Sequence, residues 1–365
     1  MAGTLPALLA HSGRCDYNTD RSMDAGSKPK AEMLPTHTRA LFDDAVARAA
    51  ELLRAGELVA LPTETVYGLA TNALNARAVA KIFVAKGRPA HNPIIVHVAG
   101  VGMARRCVAD WPLLADKLAK EFWPGALTMV LPRSLEIPDI VTAGGSTVGV
   151  RWPSHPVTQA VIRACGFPLA VPSANLSGRI SPTNAQHVLE SLGDKIGLIL
   201  DGGQSQVGIE STVLDLTVAP PRVLRPGIIH SESLNVVIGE VPGAECGVWQ
   251  GALLRSPGLL PRHYAPKGKL ILLAWRDESD LHRQLSARNL QPAMTHLIAH
   301  RLIPSGKGFG RVSVILDDAK EFARVIYAEL HRCDEEGARF IVVEAVPETA
   351  EWQAINDRLR RAAAA

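Results

Sequence analysis

Cysteine is scarce in this chain and widely spread. Cys15, Cys107, Cys165, Cys246 and Cys333 are odd in number and form no C-x-x-C pair. That pattern argues against a disulfide framework or a structural zinc site and points to a reducing, cytoplasmic setting. Long apolar runs are missing too: nothing approaches the roughly 18 consecutive residues of a membrane-spanning helix. The short apolar patch Leu5 to Ala10 lacks a basic lead-in, so it does not read as a secretory signal. Excess charge is also absent. Lys and Arg number 39 against 36 Asp and Glu, so any anion site must come from local clustering and not from a global basic field. No G-x-x-x-x-G-K-[ST] occurs, which excludes a P-loop ATPase, and no G-x-S-x-G elbow, which argues against a serine hydrolase. No second histidine or paired carboxylate stands near His97 at ligand spacing, so no protein-built metal site is expected.

What is present fits two α/β domains, the natural division of 365 residues. Residues 1–38 mix Gly, Ser, Lys, Asp and Pro without periodicity. They read as a flexible extension, or as an over-long start before Met33. Residues 39–240 alternate helical and strand patterns. Phe42, Ala45, Val46, Ala49, Leu52 and Leu53 recur at helical spacing, with Gly56 as a stop. Leu58 to Leu61 reads as a buried strand broken by Pro62, and Ala76 to Ala85 as a helix ending at Lys86-Gly87. The alternation predicts an α/β fold with a twisted mixed sheet. Residues 241–268 are dense in Pro and Gly and read as a linker. Residues 269–362 return to a β-α-β rhythm and predict a smaller, Rossmann-like α/β domain, without the G-x-G-x-x-G dinucleotide fingerprint after its first strand.

The chemistry-bearing residues gather on breaker-rich loops. Lys86 and Arg88 flank Gly87, and Pro89, Asn92 and Pro93 follow. Such a loop lets both cations face one space, where arginine can grip phosphate oxygens with two prongs. A Lys-x-Arg alone is more often a solvated helix end. Ser173-Ala174-Asn175 follows a short strand and Pro172. Small polar residues there suit close approach of a ligand, or equally a turn and helix cap. His97 ends an apolar strand and, alone, is more often structural. Arg151 and Arg225 end strands, where arginine lines clefts or snorkels at rims.

Eight motifs follow one another in order. They are Pro62-Thr63-Glu64-Thr65-Val66-Tyr67-Gly68-Leu69, Lys86-Gly87-Arg88, Asn92-Pro93-Ile94-Ile95-Val96-His97, Trp123-Pro124-Gly125, Val150-Arg151-Trp152-Pro153, Ser173-Ala174-Asn175, Gly208-Ile209-Glu210-Ser211-Thr212 and Leu224-Arg225-Pro226-Gly227. This array resembles the YrdC-like family, and the whole chain resembles its long, two-domain form. The linker matches at Ser256-Pro257-Gly258 and Arg262-His263-Tyr264-Ala265-Pro266. It departs at Leu260 and Pro261, where the family tends to carry a basic residue and a tyrosine.

The resemblance implies a nucleotidyltransferase that joins L-threonine, bicarbonate or carbon dioxide, and ATP into threonylcarbamoyl-AMP with release of pyrophosphate. A downstream transferase would place the threonylcarbamoyl group on the adenosine beside the anticodon of tRNA, with tRNA contact a further expectation. By position, Lys86 and Arg88 would be catalytic. Thr65, His97, Thr147, Arg151 and Ser211 would hold threonine, and Arg88, Asn92, Ser173, Asn175, Ser181 and Arg225 would hold ATP. Magnesium is expected with the nucleotide. The linker reads as a lid. The rival readings are an RNA-binding module that uses the same basic cavity, and a hydrogenase-maturation carbamoyltransferase, whose acylphosphatase-like and zinc-finger parts are not visible in this sequence.

Overall fold

Three aliphatic residues, Val59–Leu61, are too few for a helix turn, and Pro62 ends their run; they form a fully buried strand. The computed structural model describes residues 30–239, 256–258 and 263–364. Among them, the first domain contributes β1 (Glu32–Pro35), β2 (Val59–Leu61), β3 (Gly68–Asn72), β4 (Val96–His97), β5 (Leu127–Pro132), β6 (Thr147–Arg151), β7 (Leu169–Ala170), β8 (Leu198–Asp201), β9 (Thr212–Asp215) and β10 (Arg222–Arg225). They join in the order β1-β8-β2-β3-β7-β4-β6-β5-β9-β10, with parallel and antiparallel pairs mixed.

The second domain holds β11 (Lys269–Leu273), β12 (Thr295–Ala299), β13 (Arg311–Val314) and β14 (Phe340–Glu344). They form a parallel sheet in the order β11-β14-β12-β13, as the β-α-β rhythm predicts. Among the described residues no helix is long and apolar enough to cross a membrane.

Three features depart from the sequence reading. The extension drawn through residue 38 is corrected at its end. Glu32–Pro35 is β1, with Met33 opposite Ile199 in a parallel pair, because the edge of β8 offers its backbone groups a partner. β3 was not legible: Gly, Ala and Asn are poor strand formers, and pairing with β2 on one side and β7 on the other makes the strand. The linker is corrected from a purely flexible segment in its described parts. Ser256 and His263–Ala265 are buried, and the Ala265 N–H donates to Gly178 O at 2.9 Å. Leu260, Pro261 and Arg262 lie outside the described residues.

The apolar core does not stop at the domain boundary. Val66, Ile180 and Ile209 pack with Tyr264, Phe322, Ile326, Tyr327 and Ile355 in one cluster. Each large buried side chain there contributes about 1.5–3 kcal/mol. Gly208, at φ +82°, lies under the helix Ala319–Glu335; a Cβ there would meet Ala323 O at 2.4 Å. The two domains therefore touch backbone to backbone.

Candidate active site

Pro62 turns the chain out of β2, and the loop behind it is tied to itself. Thr63 Oγ1 donates to Val66 O at 2.6 Å and accepts from the Val66 N–H at 3.2 Å. The Val207 and Gly208 amides donate to Glu64 O and Thr65 O, so a second loop braces the first. Into this turn reaches Arg151 from the end of β6. Its Nη1 donates to Thr65 Oγ1 at 2.9 Å, its Nε to Gly125 O at 3.1 Å, and its Nη2 lies 2.8 Å from Glu64 Oε1. Burial pushes the Glu64 carboxyl up, but the Arg151 guanidinium outweighs it and holds the group below its ordinary range.

His97 stands beside Arg151, because β4 and β6 run parallel with these two residues in register. Burial first and Arg151 second hold its imidazole well below the usual pKa, so it is neutral at pH 7. Its Nδ1 is buried and has no hydrogen-bond partner among the described residues.

The Lys86–Pro93 segment begins as a helix C-terminus. Asn75 caps the helix Ala76–Lys86, and Gly87 ends it in the left-handed region at φ +60°. The solvated-end reading fails here: Lys86 is 3% exposed. Its Nζ donates to Ser173 O at 2.6 Å and to Asn175 O. It stands behind the Ser173 loop and holds that loop in place. Arg88 lines the cavity. Its Nε donates to Asn92 O at 3.1 Å and its Nη2 to Pro93 O at 2.6 Å. Burial draws its pKa down to about 9.

Arg225, from the end of β10, donates through Nε and Nη2 to Ser211 O and through Nη2 to Ser211 Oγ at 3.0 Å. Ser211 Oγ lies 2.8 Å from Thr128 Oγ1. Among the described residues its side-chain partners are an arginine and a threonine, neither of them a base that would make it a nucleophile.

One cavity is lined by Thr65, Arg88, His97, Arg151, Ser173, Ser211 and Arg225 together. The remaining sequence-predicted residues stand differently. Asn92 is fully buried beneath the Arg88 loop, and both its side-chain polar atoms lack partners among the described residues. Asn175 Nδ2 donates to Leu176 O and Arg179 O, which shapes the loop behind Ser173. Ser181 Oγ donates to Glu210 Oε1 at 2.5 Å, and so acts on the cavity through a neighbour. Thr147 does not line the cavity. It begins β6, opposite Pro132, four residues before Arg151, and at about 3.3 Å per residue that separation is roughly 13 Å.

Sequence reasoning missed two carboxylates and underused the linker. Glu64 and Glu210 are both buried and ion-paired, with Arg151 and Arg358 respectively. A signal existed: each is a lone acid between apolar or small residues inside an ordered motif. Pro257, Gly258, His263 and Tyr264 close the cavity from the linker side. Gly258 sits at φ +88°, and a Cβ there would lie 2.7 Å from the Tyr264 hydroxyl and 3.1 Å from Arg225 Cδ. Only a glycine brings the linker backbone this close. Burial takes the His263 pKa down to about 3, so it too is neutral.

The family model described as "Telomere recombination" matches residues 51–227, and the one described as "Threonylcarbamoyl-AMP synthase, C-terminal domain" matches residues 229–364. The threonylcarbamoyl-AMP synthase of Pyrococcus abyssi is 40% identical over 327 residues, spanning 86% of this chain and 92% of that protein. That of Bacillus subtilis is 41% identical, spanning 88% and 93%. This chain belongs to the threonylcarbamoyl-AMP synthase family. The solved structure of Pyrococcus abyssi Sua5 complexed with L-threonine has a TM-score of 0.83 at 37% identity and covers 91% of this chain and 98% of that one. Within the threonylcarbamoyl-AMP synthase family this is the long, two-domain form. A putative Mycobacterium tuberculosis relative aligns over 195 residues, 53% of this chain but 89% of its own length.

Proposed function

We propose that this chain is a nucleotidyltransferase that makes threonylcarbamoyl-AMP from L-threonine, bicarbonate or carbon dioxide, and ATP. The observation that carries this reading is the convergence of Arg88, Arg151 and Arg225, with Ser173 and the neutral His97, on one cavity closed by the linker. Such a site screens a polyanion and aligns it, and it holds no activated nucleophile of its own.

The chemistry asks for little more. Carboxylation of the threonine amine forms an N–C bond and gives an anionic carbamate; with carbon dioxide the nitrogen gives up a proton, and with bicarbonate a C–O bond breaks and water leaves. A carbamate oxygen then attacks the α-phosphorus; the new P–O bond forms as the α–β bond breaks, and pyrophosphate leaves with the bonding electrons. No strong base is needed, so alignment and charge screening dominate. In this reading Thr65, His97, Arg151 and Ser211 hold threonine, a ligand with which the Pyrococcus abyssi protein was solved. Arg88, Ser173 and Arg225 meet the phosphates and nucleoside. Lys86, Asn92, Asn175 and Ser181 hold those groups in place from behind. Magnesium enters as part of the nucleotide substrate: the carboxylates at hand, Glu64 and Glu210, are both committed to arginines. The product, a mixed anhydride, is suited to a second enzyme that transfers the threonylcarbamoyl group to tRNA.

The test is direct. The protein is incubated with threonine, labelled bicarbonate and magnesium ATP, and the products are read by mass spectrometry. A labelled adenylate, with pyrophosphate release that stops when threonine is omitted, is expected. No ATP cleavage would overturn the reading and leave a module that only binds RNA or nucleotide; cleavage indifferent to threonine would overturn it and leave an ATP hydrolase.

A further inference from the structure

The last helix, Gln353–Ala363, buries one arginine completely at the domain interface. Arg358 Nε donates to Glu210 Oε2 at 3.1 Å, and its Nη2 reaches Glu210 O at 3.4 Å. Its Nη1 donates to Pro226 O at 2.6 Å. Its guanidinium carbon lies 5.6 Å from the centre of the Tyr264 ring. One side chain of the second domain thus touches three segments that line the cavity of the first. They are the residue before Ser211, the residue after Arg225, and the linker. Tyr327, from the helix Ala319–Glu335, adds a hydroxyl donor to Glu210 Oε2 at 3.2 Å.

Glu210 is the reason this matters for chemistry. It lines the cavity in which the phosphates are placed. An unpaired carboxylate there would repel a triphosphate or seize Arg225 as its own counterion. With Arg358 and Tyr327 on one oxygen and Ser181 on the other, its charge is spoken for. Arg225 then keeps its prongs on Ser211 and the linker. We propose that Arg358 is a positioning residue for the ATP side of the site, by which the second domain fixes the Ser211 and Arg225 segments and neutralises Glu210. The inference rests on the ATP-dependent reading of the cavity.

Packing alone and charge neutralisation make different predictions. Arg358→Met leaves Glu210 without its ion-pair partner and is expected to raise KM for ATP about tenfold or more, as two close buried charges require, with a smaller effect on KM for threonine. Adding Glu210→Gln removes the stranded charge and is expected to restore most of the ATP affinity. An unchanged ATP KM in folded Arg358→Met protein, or no recovery in the double variant, overturns the inference. If Arg358→Met does not fold, Tyr327→Phe decides. It deletes one hydroxyl donor to Glu210, keeps the ring, and is expected to raise KM for ATP about fivefold; an unchanged KM overturns the inference. Wild-type protein that makes no adenylate at all would instead sink the proposed function, so the two failures are distinguishable.

Discussion

Arg151 Nη1 donates to the Thr65 hydroxyl at 2.9 Å, joining two residues 86 positions apart. The same guanidinium pairs with Glu64 and bonds Gly125 O, so two loops meet on one side chain. Lysine keeps the charge but has no planar fork to span them. Arg151→Lys is therefore expected to lower kcat/KM for threonine by about 100-fold, the scale set by small misplacements in an aligned site. Steady-state pyrophosphate release measures it; a loss under threefold would contradict the role.

Arg88 faces the cavity with two of its nitrogens anchored on the backbone of its own loop. Alanine removes a fixed cation from the cavity wall without touching the sheet. Arg88→Ala is expected to slow pyrophosphate release at least about tenfold at saturating ATP. Near wild-type turnover would refute it.

His97 is held neutral by burial and by Arg151, with its pKa well below 6.5. A group already uncharged at pH 7 does not change state between pH 6 and 8. Threonine affinity is expected to stay flat across about that range, and binding calorimetry at several pH values checks it. An inflection near 6.5 that disappears in His97→Gln would show the opposite.

Stability should fall on the acid side in two stages. The His263 pKa is lowered in the fold to about 3, so the unfolded chain binds the proton first. Its contribution is full above the unfolded value of 6.5 and erodes as pH falls below it, by on the order of 1 kcal/mol per pH unit. Glu64 and Glu210 are both lowered from 4.5, so their contribution is present above that value and is lost below it. Denaturant midpoints between pH 7 and 3 are expected to fall throughout. A midpoint that rises on acidification would be incompatible with these buried groups.

Gly258→Ala tests the linker. Alanine at φ +88° is strained, and its methyl collides with the Tyr264 hydroxyl. The linker is expected to lift from the cavity, which would speed hydrogen exchange at the Ala265 amide and weaken ATP binding. Unchanged exchange at Ala265 would mean that the linker is anchored elsewhere.

Much of this molecule was legible in its order of residues. Pro62 and Gly87 mark where a strand and a helix must stop, and Gly87 places Lys86 at a helix end. Periodicity revealed the parallel second sheet. Ordered motifs, through the family they resemble, named most of the polar groups on the cavity wall. Tertiary structure decided the rest. β3 exists only because β2 and β7 flank it. Lys86 and Arg88, two residues apart, take different partners: Lys86 the Ser173–Asn175 backbone, Arg88 the Asn92–Pro93 backbone. Glu210, buried on the cavity wall, meets its guanidinium partner only in Arg358, 148 residues later. Charge pairing and desolvation depend on what is near in space, and no local pattern in a sequence encodes that distance.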